Sequence, residues 1–225
     1  MTDLADWTPR ARPERKILEG DFCRLEPLDA RKHGDALYAA SNMADSGGRH
    51  RWLYEEPPES RETYQDWLEK VQASEDPLFF SVIDKRTGTV EGRQTLMRID
   101  TANGVIETGN ILWNANISQT PVTSEAYFLF AQYVFDELGY RRFEWKCNNL
   151  NEPSKRAAIR FGMTHEGVFR QHLIVKGQNR DTAWFSMVDH EWPAMRAVFQ
   201  AWLAPENFDG QGGQIRKLQE LKETA

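Results

Sequence analysis

A basic excess, long apolar runs and cysteine motifs are all missing from this chain. Its 225 residues carry 34 acidic side chains against 28 Lys and Arg, a formal net charge of −6. That balance gives no pull toward nucleic acid or an anionic membrane surface, which are bound through clustered Lys and Arg. It suits a basic or amine-bearing partner instead. The longest apolar stretch, residues 126–135, is broken by Gln132 and is too short to cross a bilayer. The first sixteen residues, with Pro9 and Pro13, hold no apolar signal core, so a cytoplasmic location is expected. Cys23 and Cys147 are the only cysteines, with no Cys-x-x-Cys and no His/Cys spacing for zinc. A reduced protein without a metal site is expected. Internal repeats and low-complexity tracts are lacking as well.

Apolar and aromatic residues are plentiful. At 40% hydrophobic and 12% aromatic the chain can bury a sizeable core, as one large domain or two small ones. Eight Trp are many for this length, and several are expected to face a pocket or an interface.

Taken in order, residues 1–20 are polar and read as an extended arm. Residues 21–28 alternate apolar and polar as a strand does. Asp29 caps a helix running to about Ala40, followed by a polar loop over 41–51 and a break at Pro57-Pro58. Trp52 and its neighbours in that loop could line a cleft or pack on the sheet. Ser60 caps a helix with Tyr64, Trp67, Leu68 and Val71 at helical spacing. Strands at 78–84 and 89–100 are joined by a hairpin, and Asn103-Gly104 turns the chain into a third strand over 105–117. A helix from Pro121 to Leu138 ends at Gly139, and Phe143, Trp145 and Cys147 alternate in a strand over 142–148. A helix over 152–161 stops at Gly162. Strands at 163–176 and 180–188 flank a turn, and a last helix runs to about Leu203. Residues 204–225 read as a loose tail or a partner contact. This order predicts one α+β domain over 21–203 with a mostly antiparallel sheet.

The chain is organised around residues 109–126, a strand, the polar loop Ser118-Gln119-Thr120, and a helix opening at Pro121. Proline suits a first helical turn, where its missing N–H is no loss. The amides of Val122, Thr123 and Ser124 then point back at the loop. Free amides at the positive end of a helix dipole bind anions, phosphate above all. An ordinary strand–loop–helix link has the same pattern.

Four pieces of sequence in this order resemble the GNAT superfamily of N-acetyltransferases, in the branch of the RimJ/RimL ribosomal-protein N-terminal acetyltransferases. The first is Glu107 to Ala126, ending Thr123-Ser124-Glu125-Ala126. The second is residues 135–142. The third runs from Asn151-Glu-Pro-Ser154 through Phe161-Gly-Met163. The fourth is Glu166-Gly167, then Asp181 and Glu191-Trp192. The resemblance covers about residues 20–192. It implies a GNAT-like fold, a single mixed sheet of about seven strands flanked by helices and splayed between the strands 105–117 and 142–148. It also implies acetyl-CoA as co-substrate and an amine acceptor, at a peptide N-terminus or on a small molecule. Nucleic acid and membrane are not expected as partners, and a homodimer is the assembly to consider.

The resemblance assigns roles as well. Backbone groups of Leu112, Trp113 and Asn114 would hold the pantetheine and the acetyl oxygen. Amides of Gln119, Thr120, Val122, Thr123 and Ser124 would hold the pyrophosphate. The family's loop, Gln/Arg-x-x-Gly-x-Gly/Ala, reads Ser118-Gln-Thr-Pro-Val-Thr123 here, so Pro121 removes one donor. Ser154 would hydrogen-bond the CoA sulfur, in place of a Tyr whose position is taken by Ala158. Its structural alternative is to satisfy its own helix start. Asn151 would cap that helix and touch the pantetheine, and Arg156 would reach a phosphate or stand solvated. Glu107 sits at the offset of the catalytic Glu of the histone-acetyltransferase branch; otherwise it is an exposed strand Glu. His172 and His190 have suitable chemistry for a base, but a lone His is usually structural. The competing reading is a catalytically weak acyl-CoA-binding or interaction domain on the same fold.

Overall fold

Period-two alternation builds the strands and capped amphipathic segments build the helices. The computed structural model describes residues 4–224. Residues 1–3 of the expected arm and Ala225 of the expected tail lie outside the described residues. Eight strands form one sheet: β1 (Leu18–Glu19), β2 (Cys23–Pro27), β3 (Leu78–Asp84), β4 (Thr89–Asp100), β5 (Val105–Trp113), β6 (Arg142–Asn148), β7 (Thr164–Val175) and β8 (Gln178–Val188). Their order is β1-β2-β3-β4-β5-β6-β8-β7. Every neighbouring pair is antiparallel except β5 with β6, which is parallel. A parallel pair needs a crossover. Here it is helix α4 (Pro121–Gln132), continued by a π-helical turn over Tyr133–Glu137.

The other helices are α1 (Ala30–Ser41), α2 (Ser46–His50), α3 (Arg61–Gln72), α5 (Glu152–Arg160), α6 (Trp192–Leu203) and α7 (Leu218–Glu223). Asp29 caps α1 by accepting from the amides of Arg31 and Lys32, and Ser60 caps α3 in a capping box with Thr63. The sheet has a core on each face. Phe79 packs with Leu37, Tyr64 and Leu68 under α1 and α3, while its neighbour Phe80 lies in the larger core beneath α4 and α6. Trp67 packs edge-on to Phe79 at 5.8 Å. No helix among the described residues is long and apolar enough to cross a membrane.

Four differences from the expected elements have physical causes. The strand expected over 105–117 ends at Trp113, because Asn114 turns the chain. Its side-chain oxygen accepts from the Asn116 amide at 3.0 Å and its carbonyl from the Ser118 amide at 3.1 Å. The loop expected over 41–51 contains α2. The arm is held: Trp7 Nε1 donates to the Ala102 carbonyl at 2.7 Å and Arg10 Nε to that of Gly139 at 2.9 Å. Its Leu18 is buried on the two-residue strand β1, which brings the sheet to eight strands. The tail, expected as a loose tail or a partner contact, folds back on its own chain. Leu218 is 1% exposed in the main core, and Trp202 Nε1 donates to Gln214 at 3.0 Å.

Glu125 ties the crossover helix to the sheet edge. Its buried carboxylate accepts from the amides of Asp21, Phe22 and Cys23 at 2.8, 2.7 and 2.6 Å. Burial pushes this carboxyl up, opposed by those three amides. Glu125→Ala leaves all three donors without a partner. A loss of about 3 kcal/mol is expected, at roughly 1–3 kcal/mol per unsatisfied buried donor. Urea unfolding should show the midpoint falling with the m-value unchanged.

Candidate active site

The cleft begins where one strand pairing stops. β5 and β6 pair from Val105 with Arg142 to Thr108 with Trp145. Beyond that both strands run on, to Trp113 and Asn148, without pairing to each other. A bulge separates them. Between Thr95↔Gly109 and Arg93↔Leu112, β5 has two residues where β4 has one, and Asn110 takes φ +48°. An extra residue bends a strand and tightens its twist. Arg93, 1% exposed, holds the bulge by donating to the Asn110 carbonyl at 2.7 Å. The same guanidinium ion-pairs with Glu55 and lies 4.9 Å from the Trp67 ring centroid. The gap opens a cavity of about 1080 Å³ that reaches both faces of the sheet.

Strand alternation decides which backbone groups look into the gap. The Asn114 amide donates to the Glu91 carbonyl at 3.1 Å. Asn114 and Leu112 therefore turn toward β4, and Ile111 and Trp113 turn toward the gap. Of the three strand residues expected to offer backbone groups, only Trp113 does so. Leu112 faces β4, and Asn114 spends its amide on Glu91 and its carbonyl on Ser118. The Trp113 carbonyl is already taken by Arg49, which also donates to Ser118 Oγ at 3.0 Å.

At the start of α4 the supply of donors is smaller than the sequence suggests. The Ser118 amide donates to Asn114 at 3.1 Å and the Thr120 amide to Ile117 at 3.2 Å. Pro121 has no N–H. No side chain caps this helix. Val122 and Thr123 keep their amides, two of the four donors that a helix start leaves open. Gln119, at φ +62°, lines the cavity with Pro121 and Thr123. Ser124 is turned into the core, where its hydroxyl accepts from Arg160 at 2.8 Å.

The start of α5 forms the neighbouring wall. Asn151 caps it, accepting from the Ser154 amide at 3.2 Å. The Ser154 hydroxyl does not serve its own helix. It accepts from Trp145 Nε1 at 2.9 Å and lies against the Cys147 thiol, which burial pushes up and this contact lowers. Ser154 and Asn151 line the cavity, with Arg156 exposed at its rim. Ala158 is fully buried.

Across the sheet lies a group of buried charges. Glu107 is 5% exposed, not the exposed strand Glu that was one reading of it. It pairs with Lys146 at 2.9 Å and Arg98 at 3.4 Å, and Lys146 also meets Glu144 at 2.7 Å. Lys146 sits 3.7 Å above the Trp184 ring centroid. Burial pushes the Glu107 carboxyl up, and Lys146 and Arg98 oppose it. His172 lines the cavity with Nδ1 2.9 Å from Thr182 Oγ1. His190 is exposed beside Asp189 and does not line it. Trp52 is a cavity residue. Arg49, Arg93, Lys146 and Arg180 were not foreseen. Lys146 alternates with Trp145 and Cys147, so it had to face the opposite side, but no local pattern marked it as buried.

Comparisons with known proteins agree with this geometry. Residues 23–164 match the family model of the acetyltransferase (GNAT) domain. A crystal structure of a GCN5-related N-acetyltransferase from Brucella melitensis is 61% identical, with a TM-score of 0.95, over 97% of this chain and 99% of that one. A GNAT-family structure from Chromobacterium violaceum is 34% identical, with a TM-score of 0.79, over 86% and 96%. YdaF of Bacillus subtilis (strain 168), provisionally named a ribosomal N-acetyltransferase, is 27% identical over 75% of this chain and 90% of its own length.

The Trp145–Ser154 bond gives a structural test of the α5 start. Ser154→Ala removes the acceptor of a part-buried indole N–H. A loss of about 1–2 kcal/mol is expected in denaturant unfolding, and Ser154→Thr should recover most of it.

Proposed function

This chain belongs to the GNAT acetyltransferase family and draws its acetyl group from acetyl-CoA; we propose that it delivers that group to an α-amine, at a peptide N-terminus or on a small molecule of similarly low pKa. One observation carries the reading: the unpaired edge of β5 and the open amides of α4 face a single cavity with a buried carboxylate on its far side. The likeness to YdaF supports the RimJ/RimL branch and peptide N-termini as acceptors.

The residues present fit the co-substrate. Val122 and Thr123 offer two amides and the positive end of the α4 dipole to an anionic pyrophosphate. Trp113 offers its N–H along the open strand edge, where an extended amide-bearing chain could pair. Arg160, whose one polar partner among the described residues is Ser124, adds a cation beside that helix start. Acetyl-CoA, when bound, supplies a thioester-activated acetyl group and a thiol leaving group. Ser154 can give a proton at that sulfur, because its oxygen accepts from Trp145 and its own hydrogen can turn there from the Cys147 thiol. Glu107 can take the amine proton through water, and its upward-shifted carboxyl makes it a stronger base than an ordinary Glu.

The acceptor follows from how little this carboxylate is free to move, since Lys146 and Arg98 already engage it. At pH 7 roughly a tenth of an α-amine is neutral, against under a thousandth of a lysine amine, from pKa values of about 7.7–8.0 and 10.4. An α-amine asks little of Glu107.

Acetyl-CoA at a hundred times its Kd should stabilise the folded protein by about 2.7 kcal/mol, roughly 5–10 °C in Tm. Pro121→Gly should hold or increase that shift, since it restores an amide. No shift at millimolar acetyl-CoA overturns the assignment.

The acceptor is tested by CoA release from an N-terminal peptide and from a lysine peptide blocked at its α-amine. Activity on the first should climb with pH to a plateau near 8, following the amine's own deprotonation (pKa about 7.7–8.0). Glu107→Gln should slow it less than about tenfold and slow the lysine peptide by about a hundredfold. A wild-type preference for the lysine peptide sinks the α-amine proposal.

A further inference from the structure

The cavity wall on the Glu107 side of the sheet holds a guanidinium with nothing to bind. Arg180, on β8, is 9% exposed and lines the cavity. Among the described residues it makes no ion pair and no side-chain hydrogen bond, and its Nε is enclosed without a partner. The Tyr54 ring lies against it, its centroid 5.4 Å from the guanidinium carbon. Arg93, Lys146 and Arg49 are matched by carboxylates, by Glu55, by Glu107 and Glu144, and by Asp45; of the cavity cations without one, Arg156 is exposed and Arg160 is bonded to Ser124, which leaves Arg180 as the enclosed one among the described residues. Enclosing a charge without a counter-ion is costly. A site that keeps one is built for a charge that arrives with a ligand, and a planar guanidinium fork matches carboxylate and phosphate oxygens.

Register places Arg180 relative to the chemistry. Trp184 pairs with Lys146, one step past the last β5–β6 pair, where the gap opens. Arg180 lies four residues farther along β8 on the same face, about 13 Å at 3.3 Å per residue. His172 and Thr182 line the wall between them and are bonded to each other. The opposite side is fixed by Lys176, which donates to the carbonyls of His50 and Glu55 at 2.9 and 3.1 Å.

We infer that Arg180 receives an anionic group of the acceptor, a carboxylate or phosphate several bonds away from the amine. The long arginine side chain covers part of that backbone separation, and an α-amino acid, whose amine and carboxylate share one carbon, is too short for the remainder. A peptide with an acidic residue next to its N-terminal one, or an aminoalkyl phosphate, is long enough. The inference rests on the acetyl-transfer reading for the amine and on Arg180 alone for the anion. The overall charge of −6 favours cationic partners, so the local field around Arg180 reverses the selectivity of the whole surface.

The test uses the full chain and two matched pairs of acceptors. One pair is a tripeptide with Asp or Asn at its second position. The other is 6-aminohexyl phosphate against 6-aminohexanol. Binding is measured by calorimetry on the CoA-bound protein, and turnover by CoA release. The wild type should bind at least one anionic member about tenfold or more tightly than its neutral partner. Arg180→Gln should bring that ratio close to one, Arg180→Lys should keep most of it, and an unchanged Tm shift with acetyl-CoA shows that each variant is folded. The pair that carries the preference tells carboxylate from phosphate. A ratio near one for both wild-type pairs, or a ratio that survives in folded Arg180→Gln, overturns the anion site. Preferential binding without CoA release sustains the anion site and removes the acetyl-transfer reading instead.

Discussion

Everything at the cleft depends on a parallel strand pairing that stops early. β5 and β6 hold together up to Thr108 and Trp145, then part. The cause is local and strong: one extra residue on β5, Asn110 in a left-handed conformation, and an enclosed arginine bonded to its carbonyl. Gly92 lets the two backbones meet there, since a Cβ would fall 2.3 Å from the Leu112 carbonyl oxygen. Had the ladder continued, Trp113 would spend its amide on β6 and no cavity would connect the two faces. Instead the sheet carries an unfinished edge, which a ligand with its own amides can complete.

Charge is distributed around that edge with a clear division. The enclosed charges that support the fold are paired: Arg93 with Glu55, Lys146 with two glutamates, Glu125 with three backbone amides. Among the groups that face the cavity without full partners are the α4 amides on one side of the sheet and the enclosed Arg180 on the other. Unmatched donors inside a folded protein cost stability, so their presence at two ends of one cavity points to ligand chemistry at both.

Much of the frame was legible in the chain. The hairpins at Lys85–Gly88 and Asn103-Gly104, the caps Asp29 and Ser60, and the strands over 78–84 and 89–100 are local events, set by residues within one or two turns of each other. The run from Pro121 through Glu125 was readable as a helix start for the same reason. Individual donors were not. Whether the amides of Leu112, Asn114 and Thr120 are free depends on strand β4 and the Ile117 carbonyl opposite them, and the role of Ser154 turns on an indole nine residues away on another element.

The sequence by itself determined the class of fold, the place of the cleft and the family to which the chain belongs, because turn chemistry, period and motif order are short-range properties. Tertiary structure alone decided which charges are spent and which remain. Glu107 looked like a surface strand residue until Lys146, 39 positions later, came to lie beside it. Arg180 looked like the first residue of an ordinary strand until folding enclosed it against Tyr54 with no ion pair among the described residues. Burial and pairing are properties of the space around a side chain, and that space is assembled from segments the local sequence does not see.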